Sequence, residues 1–317
     1  MSFSAKVKKE LCGHENKARH CDIAEIAGII NTCGVVSRIQ GRCVVRIQTE
    51  NPVVAKAYFK LLKKTFACRC DISIKHAPQL KKNRVYNVAT GDSLAAEKML
   101  LATGIMTRHD NALSYAGRIN PTIIKSDCCK RAYLRGAFIS GGSLADPEKS
   151  YHLEFINANK GLAQSLLDSV NFFKLNAKMI VRKGYYVVYL KEGENIVDLL
   201  NMMSAHVSLM DLENVRVMKH VRNNVNRVVN FETANLNKTV DAAVRQTEDI
   251  KYIFETKGTD YLAKQLLDVA LIRLSHPEAS LTEIGAMLTP KVGKSGVNHR
   301  LRKIGLIADY LRGGHYD

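Results

Sequence analysis

The sequence predicts an α+β protein: a pseudo-two-fold domain in which the order αββαββα occurs twice, followed by an all-α unit. Three observations carry this. Adding 108 to residue numbers in the first third of the chain lands on the same apolar pattern, with Asn51 falling on Asn159, Gly28 on Gly136 and Gly34 on Gly142. Within each half, helical periodicity alternates with period-two strand patterns. Beyond about residue 257 only short helical patterns remain, punctuated by His276-Pro277 and Pro290.

In the first half, Ile23, Ile26, Ala27 and Ile30 recur at helical spacing behind Asp22, which is read as an N-cap for a helix over 22–33. Gly34 releases the chain into Val35–Ile39. Across a Gln40-Gly41 turn, Cys43, Val45 and Ile47 then alternate with Val44, Arg46 and Gln48, the pattern of a β-hairpin. Pro52 opens a helix whose Val54, Tyr58, Leu61 and Leu62 face one way and whose Lys56, Lys60, Lys63 and Lys64 largely face the other. Strands near Ile72–Lys75 and Arg84–Thr90 and a helix over Ser93–Ala102 complete this half. The second half offers a helix over Asp127–Ser140, a strand over Tyr151–Ile156, a helix over Leu162–Phe173, and strands near Lys178–Lys183 and Tyr185–Lys191.

Between the halves and the end, Val217–Ile253 reads as one or two helices. Arg216, Lys219, Arg222 and Arg227 precede its first acid, Glu232, so a rigid connector, a DNA contact and a dimerisation helix all stay open. At the carboxy terminus, Leu262, Leu266, Val269 and Ile272 mark a helix, and Ser280-Leu-Thr-Glu283 is a capping box opening a second, over Leu281–Leu288. Pro290 breaks the chain before a third helix from about Ser295, with Val297, Leu301 and Ile304 as its buried stripe. The opposite face carries Ser295, Asn298, His299, Arg302 and Lys303 and no acid. Three short helices with such a face fit a helix-turn-helix, in which Asn pairs with adenine and Arg with guanine while Lys291 and Lys294 meet phosphates. Gly293-Lys294-Ser295 imitates a P-loop ending, but the first glycine of that motif is replaced by Leu288. The domain reading is therefore a scaffold over 1–215 with half-repeats at about 20–105 and 127–215, a helical linker over 216–256, and a helix-turn-helix over 257–317.

The 317 residues carry 47 Lys and Arg against 30 Asp and Glu, a net charge of +17. That surplus points to a polyanionic partner. From Arg38 to Arg84, twelve basic residues face only Glu50 and Asp71, and the acid-free stretches 169–191 and 291–303 hold five each. Candidate phosphate contacts are Arg38, Arg42, Arg46, Arg182, Lys183, Arg222 and Arg227. No apolar run reaches the ~18 residues of a membrane span and no secretion signal opens the chain, so the cytoplasm, on the nucleoid, is the expected location. The eight cysteines form no C-x-x-C pair and should remain thiols. Cys12, His14, His20 and Cys21 match no standard zinc spacing, and neither a metal nor a cofactor is expected.

Two helices carry a further signal: Ile26-Ala-Gly-Ile-Ile-Asn-Thr-Cys-Gly34 and Leu134-Arg-Gly-Ala-Phe-Ile-Ser-Gly-Gly142. Mid-helix glycine costs about 1 kcal/mol relative to alanine, so Gly28 and Gly136 imply close helix approach. This pattern resembles the LAGLIDADG homing endonucleases, in which two such helices pack at the centre and two sheets form a saddle over DNA. In that family an acidic residue before each final glycine binds the catalytic metal. Here those positions hold Cys33 and Gly141, and Asn31 and Ile139 replace the other acidic letter, so the resemblance implies a scaffold without catalytic residues. Asp146 and Glu148 beside Pro147 read as a solvated loop.

End to end, the chain resembles the WhiA family of bacterial DNA-binding regulators. The match rests on Met1-Ser-Phe-Ser-Ala-Lys-Val-Lys-Lys-Glu10, Arg131-Ala-Tyr-Leu-Arg-Gly-Ala-Phe138, Asp146-Pro-Glu-Lys-Ser-Tyr-His-Leu-Glu154, Val221-Arg-Asn-Asn-Val-Asn-Arg227, Ala234-Asn-Leu-Asn-Lys-Thr-Val240 and Lys294-Ser-Gly-Val-Asn-His-Arg-Leu-Arg-Lys-Ile304. The resemblance implies a non-enzymatic, sequence-specific regulator of sporulation genes, or of cell division and chromosome segregation. Its partners would be double-stranded DNA and, as a candidate protein partner, another transcription factor or a sigma factor, with no membrane and no small-molecule substrate. The competing classes are a metal-dependent endonuclease and a basic protein-interaction scaffold.

Overall fold

The computed structural model describes residues 2–39, 42–76, 84–109 and 112–313, which fall into two compact units, 1–219 and 220–317. The first unit begins with α1 (Phe3–Leu11), whose N-cap Ser2 accepts from the Ala5 N–H at 3.2 Å. The first half-repeat follows as α2 (Arg19–Cys33), β1 (Gly34–Ile39), β2 (Arg42–Thr49), α3 (Pro52–Phe66), β3 (Cys70–His76), β4 (Arg84–Thr90) and α4 (Ser93–Ala102). A small hairpin of β5 (Met106–His109) and β6 (Ala112–Tyr115) separates it from the second half. That half runs α5 (Asp127–Gly141), β7 (Gly142–Leu144), β8 (Leu153–Asn157), α6 (Lys160–Asn171), β9 (Lys178–Arg182), β10 (Tyr185–Leu190) and α7 (Gly193–Met203).

The two four-stranded antiparallel sheets have the same topology, β1-β2-β4-β3 and β7-β8-β10-β9. Helices cover one face of each sheet. In β2 the alternation is as the spacing predicts: Cys43, Val45 and Ile47 are buried under α3 and α4, and Val36 pairs with Val45 across the hairpin. The Gln40-Gly41 turn lies outside the described residues. Asn51 and Asn159, equivalent in the repeat, both cap the helix that follows, accepting from the Val53 N–H at 2.9 Å and the Leu162 N–H at 3.0 Å.

The halves meet where α2 packs on α5. A Cβ on Gly28 would land on the Tyr133 carbonyl, and one on Gly136 on the Glu25 carbonyl, so each glycine lets the other helix's backbone pass. Their mid-helix cost, about 1 kcal/mol each, is offset by the apolar burial this approach permits, including Ala24, Ala27, Leu134, Ala137 and Phe138. Beside the contact lies a buried polar network. Arg135 on α5 donates from Nε to the Glu25 carboxylate at 3.0 Å, from Nη1 to the Met203 carbonyl at 3.1 Å and from Nη2 to the Asn16 side chain at 2.5 Å. Asn16 donates to Glu25 at 2.7 Å and to Asp22 at 3.0 Å, and Lys64 pairs with Asp22 at 3.0 Å. Burial raises the Glu25 carboxyl above the ordinary carboxylate range, against the pull of Arg135.

Three expectations are corrected here. Asp22 is not an N-cap: α2 starts a turn earlier, at Arg19, and the buried Asp22 carboxylate is held by Asn16 and Lys64 instead. The second half has its missing first strand in β7, only three residues long and too short to show alternation. The segment read as one or two helices is a single 52-residue helix, α8 (His206–Lys257). Its first turn is capped by Glu10, which accepts from the Val207 N–H at 2.7 Å and the Ser208 N–H at 2.9 Å. None of this capping by a residue some two hundred positions away is visible in local pattern.

In the second unit, Ile250 and Ile253 near the end of α8 share a core with α9 (Lys264–Ser275), α10 (Leu281–Met287) and α11 (Lys294–Leu311). Residues 221–240 of α8 are exposed throughout. No helix among the described residues is long and apolar enough to cross a membrane.

Two stability outcomes follow. Gly28→Ala or Gly136→Ala should each lower stability by about 1–3 kcal/mol in urea denaturation, since overpacking against a backbone carbonyl outweighs the gain in helix propensity. Arg135→Ala should cost about 3–5 kcal/mol in the same assay, because Glu25 would be left buried without its partner.

Candidate nucleic-acid interface

The carboxy-terminal unit positions one cationic helix face. The capping box predicted at Ser280 forms as expected: the Ser280 hydroxyl accepts from the Glu283 N–H at 3.3 Å, and the Glu283 carboxylate accepts from the Ser280 N–H at 2.7 Å. That backbone donation holds the Glu283 carboxyl below its ordinary range. After α10 the chain folds back so closely that a Cβ on Gly285 would land on the Val292 carbonyl, and the Val292 N–H donates to the Gly285 carbonyl at 3.0 Å. Buried Arg273 fixes the preceding turn, donating to the carbonyls of Pro277 at 3.1 Å and Ala279 at 2.7 Å.

These contacts present α11 with Val297, Leu301 and Ile304 buried, as the spacing predicts. Ser295, Asn298, His299, Arg302 and Lys303 are all exposed, as are Lys291 and Lys294. Lys294 is the first residue of α11 instead of preceding it. None of these seven side chains has a hydrogen bond or ion pair among the described residues. The first turn of α11 contains no acid, so its N–H groups and positive dipole end reinforce Lys294 in attracting an anion. The acids lie at the far end. There Asp249 pairs with Arg312 at 2.6 Å, and Asp309 with Arg312 at 3.4 Å and with Arg245 at 3.5 Å. This clasp fastens the end of α11 to α8 and leaves the start of α11 purely cationic. Arg300, on the same helix, is diverted to the Gln265 carbonyl at 3.4 Å.

On the scaffold the candidate phosphate contacts separate. Arg42 and Arg46 lie on the sheet face turned away from the helices, whereas Arg38 pairs with Cys43 in register and so belongs to the helix side, at the exposed end of the strand. The Arg46 Nε atom is buried without a partner. Arg182 is already engaged, donating to the Glu154 carboxylate at 3.0 Å. Glu154 also bonds His152 at 3.1 Å, and although its own burial opposes ionisation, the bonds from Arg182 and His152 draw its carboxyl below the ordinary range. Lys183 and Gly184 both take positive φ, 51° and 81°, in the turn between β9 and β10, which holds the exposed Lys183 at the sheet's rim. Arg222 and Arg227 are exposed on α8 with no partner among the described residues.

Cys33 and Gly141, where the homing-endonuclease resemblance leads one to expect carboxylates, are the last residues of α2 and α5. Burial pushes the Cys33 thiol up to about 11, and a Cβ on Gly141 would meet the Thr32 methyl, so a side chain at 141 requires the Thr32 side chain to shift. Asp146 accepts from the Glu148 N–H at 3.0 Å within its loop. Of the Cys and His residues near the amino terminus, Cys12 and His14 stay apart, while His20 and Cys21 meet Cys128 and Cys129. Sequence spacing gave no sign of this grouping, because Cys128 and Cys129 lie one repeat away from His20 and Cys21.

Three family models match in succession: a WhiA N-terminal LAGLIDADG-like domain over residues 19–106, a WhiA LAGLIDADG-like domain over 130–222, and a WhiA C-terminal HTH domain over 225–308. The chain is 47% identical over 316 residues to the probable cell division protein WhiA of Alkaliphilus oremlandii, covering 99% of each chain. It is 48% identical over 316 residues to the protein of the same name from Clostridium perfringens, covering 100% of each. The crystal structure of full-length DUF199/WhiA from Thermatoga maritima superposes with a TM-score of 0.62 at 26% identity, covering 98% of this chain and 99% of that one. With its repeated αββαββα scaffold, its helix-turn-helix and this likeness along its whole length, the chain belongs to the WhiA family.

Proposed function

We propose that this protein is a non-enzymatic, sequence-specific DNA-binding regulator in which residues 257–317 read the bases, residues 1–215 form the scaffold and 216–256 link them. The observation that carries the reading is the acid-free face of α11, where Asn298, His299, Arg302 and Lys303 stand exposed and unpartnered among the described residues. Ionic and amide groups left free on one helix face are available to phosphates and base edges. Lys291 and Lys294 would hold phosphates at the helix start, and Asn298 and Arg302 would contact bases. Arg42, Arg46, Lys183, Arg222 and Arg227 would add affinity without sequence information.

The relatives' name, probable cell division protein, supports a role in cell division. Action on chromosomal DNA in the cytoplasm, control of sporulation or chromosome-segregation genes, and recruitment of another transcription factor or a sigma factor through the scaffold complete the proposal. The absence of a carboxylate at Cys33 and at Gly141, where the homing-endonuclease resemblance expects one each, favours holding DNA over cutting it.

Chromatin immunoprecipitation of the tagged protein supplies a cognate site. At that site Asn298→Ala and Arg302→Ala should each weaken binding by about 1–3 kcal/mol and relax preference at one position, read by fluorescence anisotropy. Unchanged specific binding in both variants would refute the recognition-helix assignment. Lys291→Ala and Lys294→Ala should weaken cognate and random duplexes alike, each lowering the slope of log K against log salt by about 1. Supercoiled plasmid incubated with the protein and Mg2+ should be bound and not nicked; catalytic turnover would establish the endonuclease reading instead.

A further inference from the structure

The pseudo-two-fold brings together four soft ligands that no local motif joins. His20 and Cys21 are the second and third residues of α2, and Cys128 and Cys129 are the second and third residues of α5. They are equivalent positions in the 108-residue repeat. Because α2 and α5 pack face to face through Gly28 and Gly136, their first turns meet. The His20 Nδ1 atom lies 3.1 Å from the Cys129 sulfur and 3.4 Å from the Cys21 sulfur, and all four ligand atoms lie within 4.8 Å of one another.

From this geometry we propose that His20, Cys21, Cys128 and Cys129 form a structural zinc site that clips the two half-repeats together at the amino-terminal ends of their central helices. A tetrahedral ion with Zn–S near 2.3 Å and Zn–N near 2.0–2.1 Å needs ligand atoms about 3.6–3.8 Å apart. The observed spacing reaches this through side-chain shifts of well under an ångström at His20 and by contraction of the wider pairs. Three thiolates and a neutral imidazole around Zn2+ leave one net negative charge, which the positive ends of two helix dipoles favour. Thiolate and imidazole together select zinc over the magnesium or calcium that a nuclease would hold.

Exposure also fits. Each helix contributes one exposed ligand, His20 or Cys128, and one buried ligand, Cys21 or Cys129. An open cavity lined by His20, Cys21 and Cys128 gives the ion a way in, and Cys129 is buried behind it. The site stands at the opposite end of α2 and α5 from Cys33 and Gly141, so it is independent of the nuclease metal positions. It does not depend on the DNA-binding reading, since it concerns how the scaffold is held.

The test is metal loading of the full-length chain purified under reducing conditions. Stripped with a chelator, returned to Zn2+ and desalted, it should retain about one zinc per chain by inductively coupled plasma mass spectrometry. Co2+ added instead should give the thiolate-to-metal charge transfer and intense visible bands of a tetrahedral thiolate site. Cys128→Ser and His20→Ala, both at exposed positions, should weaken zinc binding at least about tenfold. Cys12→Ser and Cys70→Ser should load like the parent. Retention of less than about a tenth of an equivalent of zinc, an octahedral cobalt spectrum, or undiminished affinity in both ligand variants would overturn the site. So would a Cys21–Cys129 disulfide formed in air with no metal taken up, which would make the cluster a thiol pair instead.

Discussion

The scaffold depends on the approach of α2 to α5, where two glycines remove the side chains that would hold the helix backbones apart. Gly28 faces the Tyr133 carbonyl and Gly136 faces the Glu25 carbonyl, so the two contacts are reciprocal and neither can be relaxed alone. Everything else in the first unit is arranged around that crossing. The sheets hang from the carboxy-terminal ends of the two helices through Gly34 and Gly142, and the network of Arg135, Glu25, Asn16 and Asp22 fills the flank that apolar side chains do not. The His20, Cys21, Cys128 and Cys129 cluster lies at the opposite end of the same pair. Close approach thus does three things at once: it makes the core, fixes the pseudo-symmetry and creates a ligand set.

Charge is distributed by pairing as much as by sequence. Some of the scaffold's basic side chains are held by acids of the same chain and are not free for a partner, Lys64 by Asp22 and Arg182 by Glu154. In the carboxy-terminal unit Asp309, the one acid of α11, and Asp249 of α8 meet Arg312 and Arg245 at one end of α11, and the other end of the helix is left cationic. A helix whose acidic partners are sequestered away from its first turns presents an unscreened field to an incoming polyanion. This arrangement, more than the net charge of +17, supports a directed DNA contact.

Much of this was legible beforehand because it is periodic. The stripe of Val297, Leu301 and Ile304 depends only on 3.6-residue periodicity, and the Ser280 capping box only on four consecutive residues. The repeat was visible because Asn51 and Asn159 perform the same capping task at the same place in each half. Other features left no local trace. Glu10 caps a helix that begins at His206, and the turn before α11 closes on Gly285, whose need for a missing Cβ comes from Val292 folding back.

The sequence by itself determined the fold class, the doubled scaffold and the helix-turn-helix, since each rests on residue type and spacing along the chain. Only the tertiary structure decided which long-range groups meet. It separated Arg38 from Arg42 and Arg46, bound Arg182 to Glu154, and took His20 and Cys21 from their sequence neighbours and gave them to Cys128 and Cys129. The physical reason is the same in each case: these contacts are set by how helices and strands cross, and crossing geometry joins residues that spacing along the chain keeps apart.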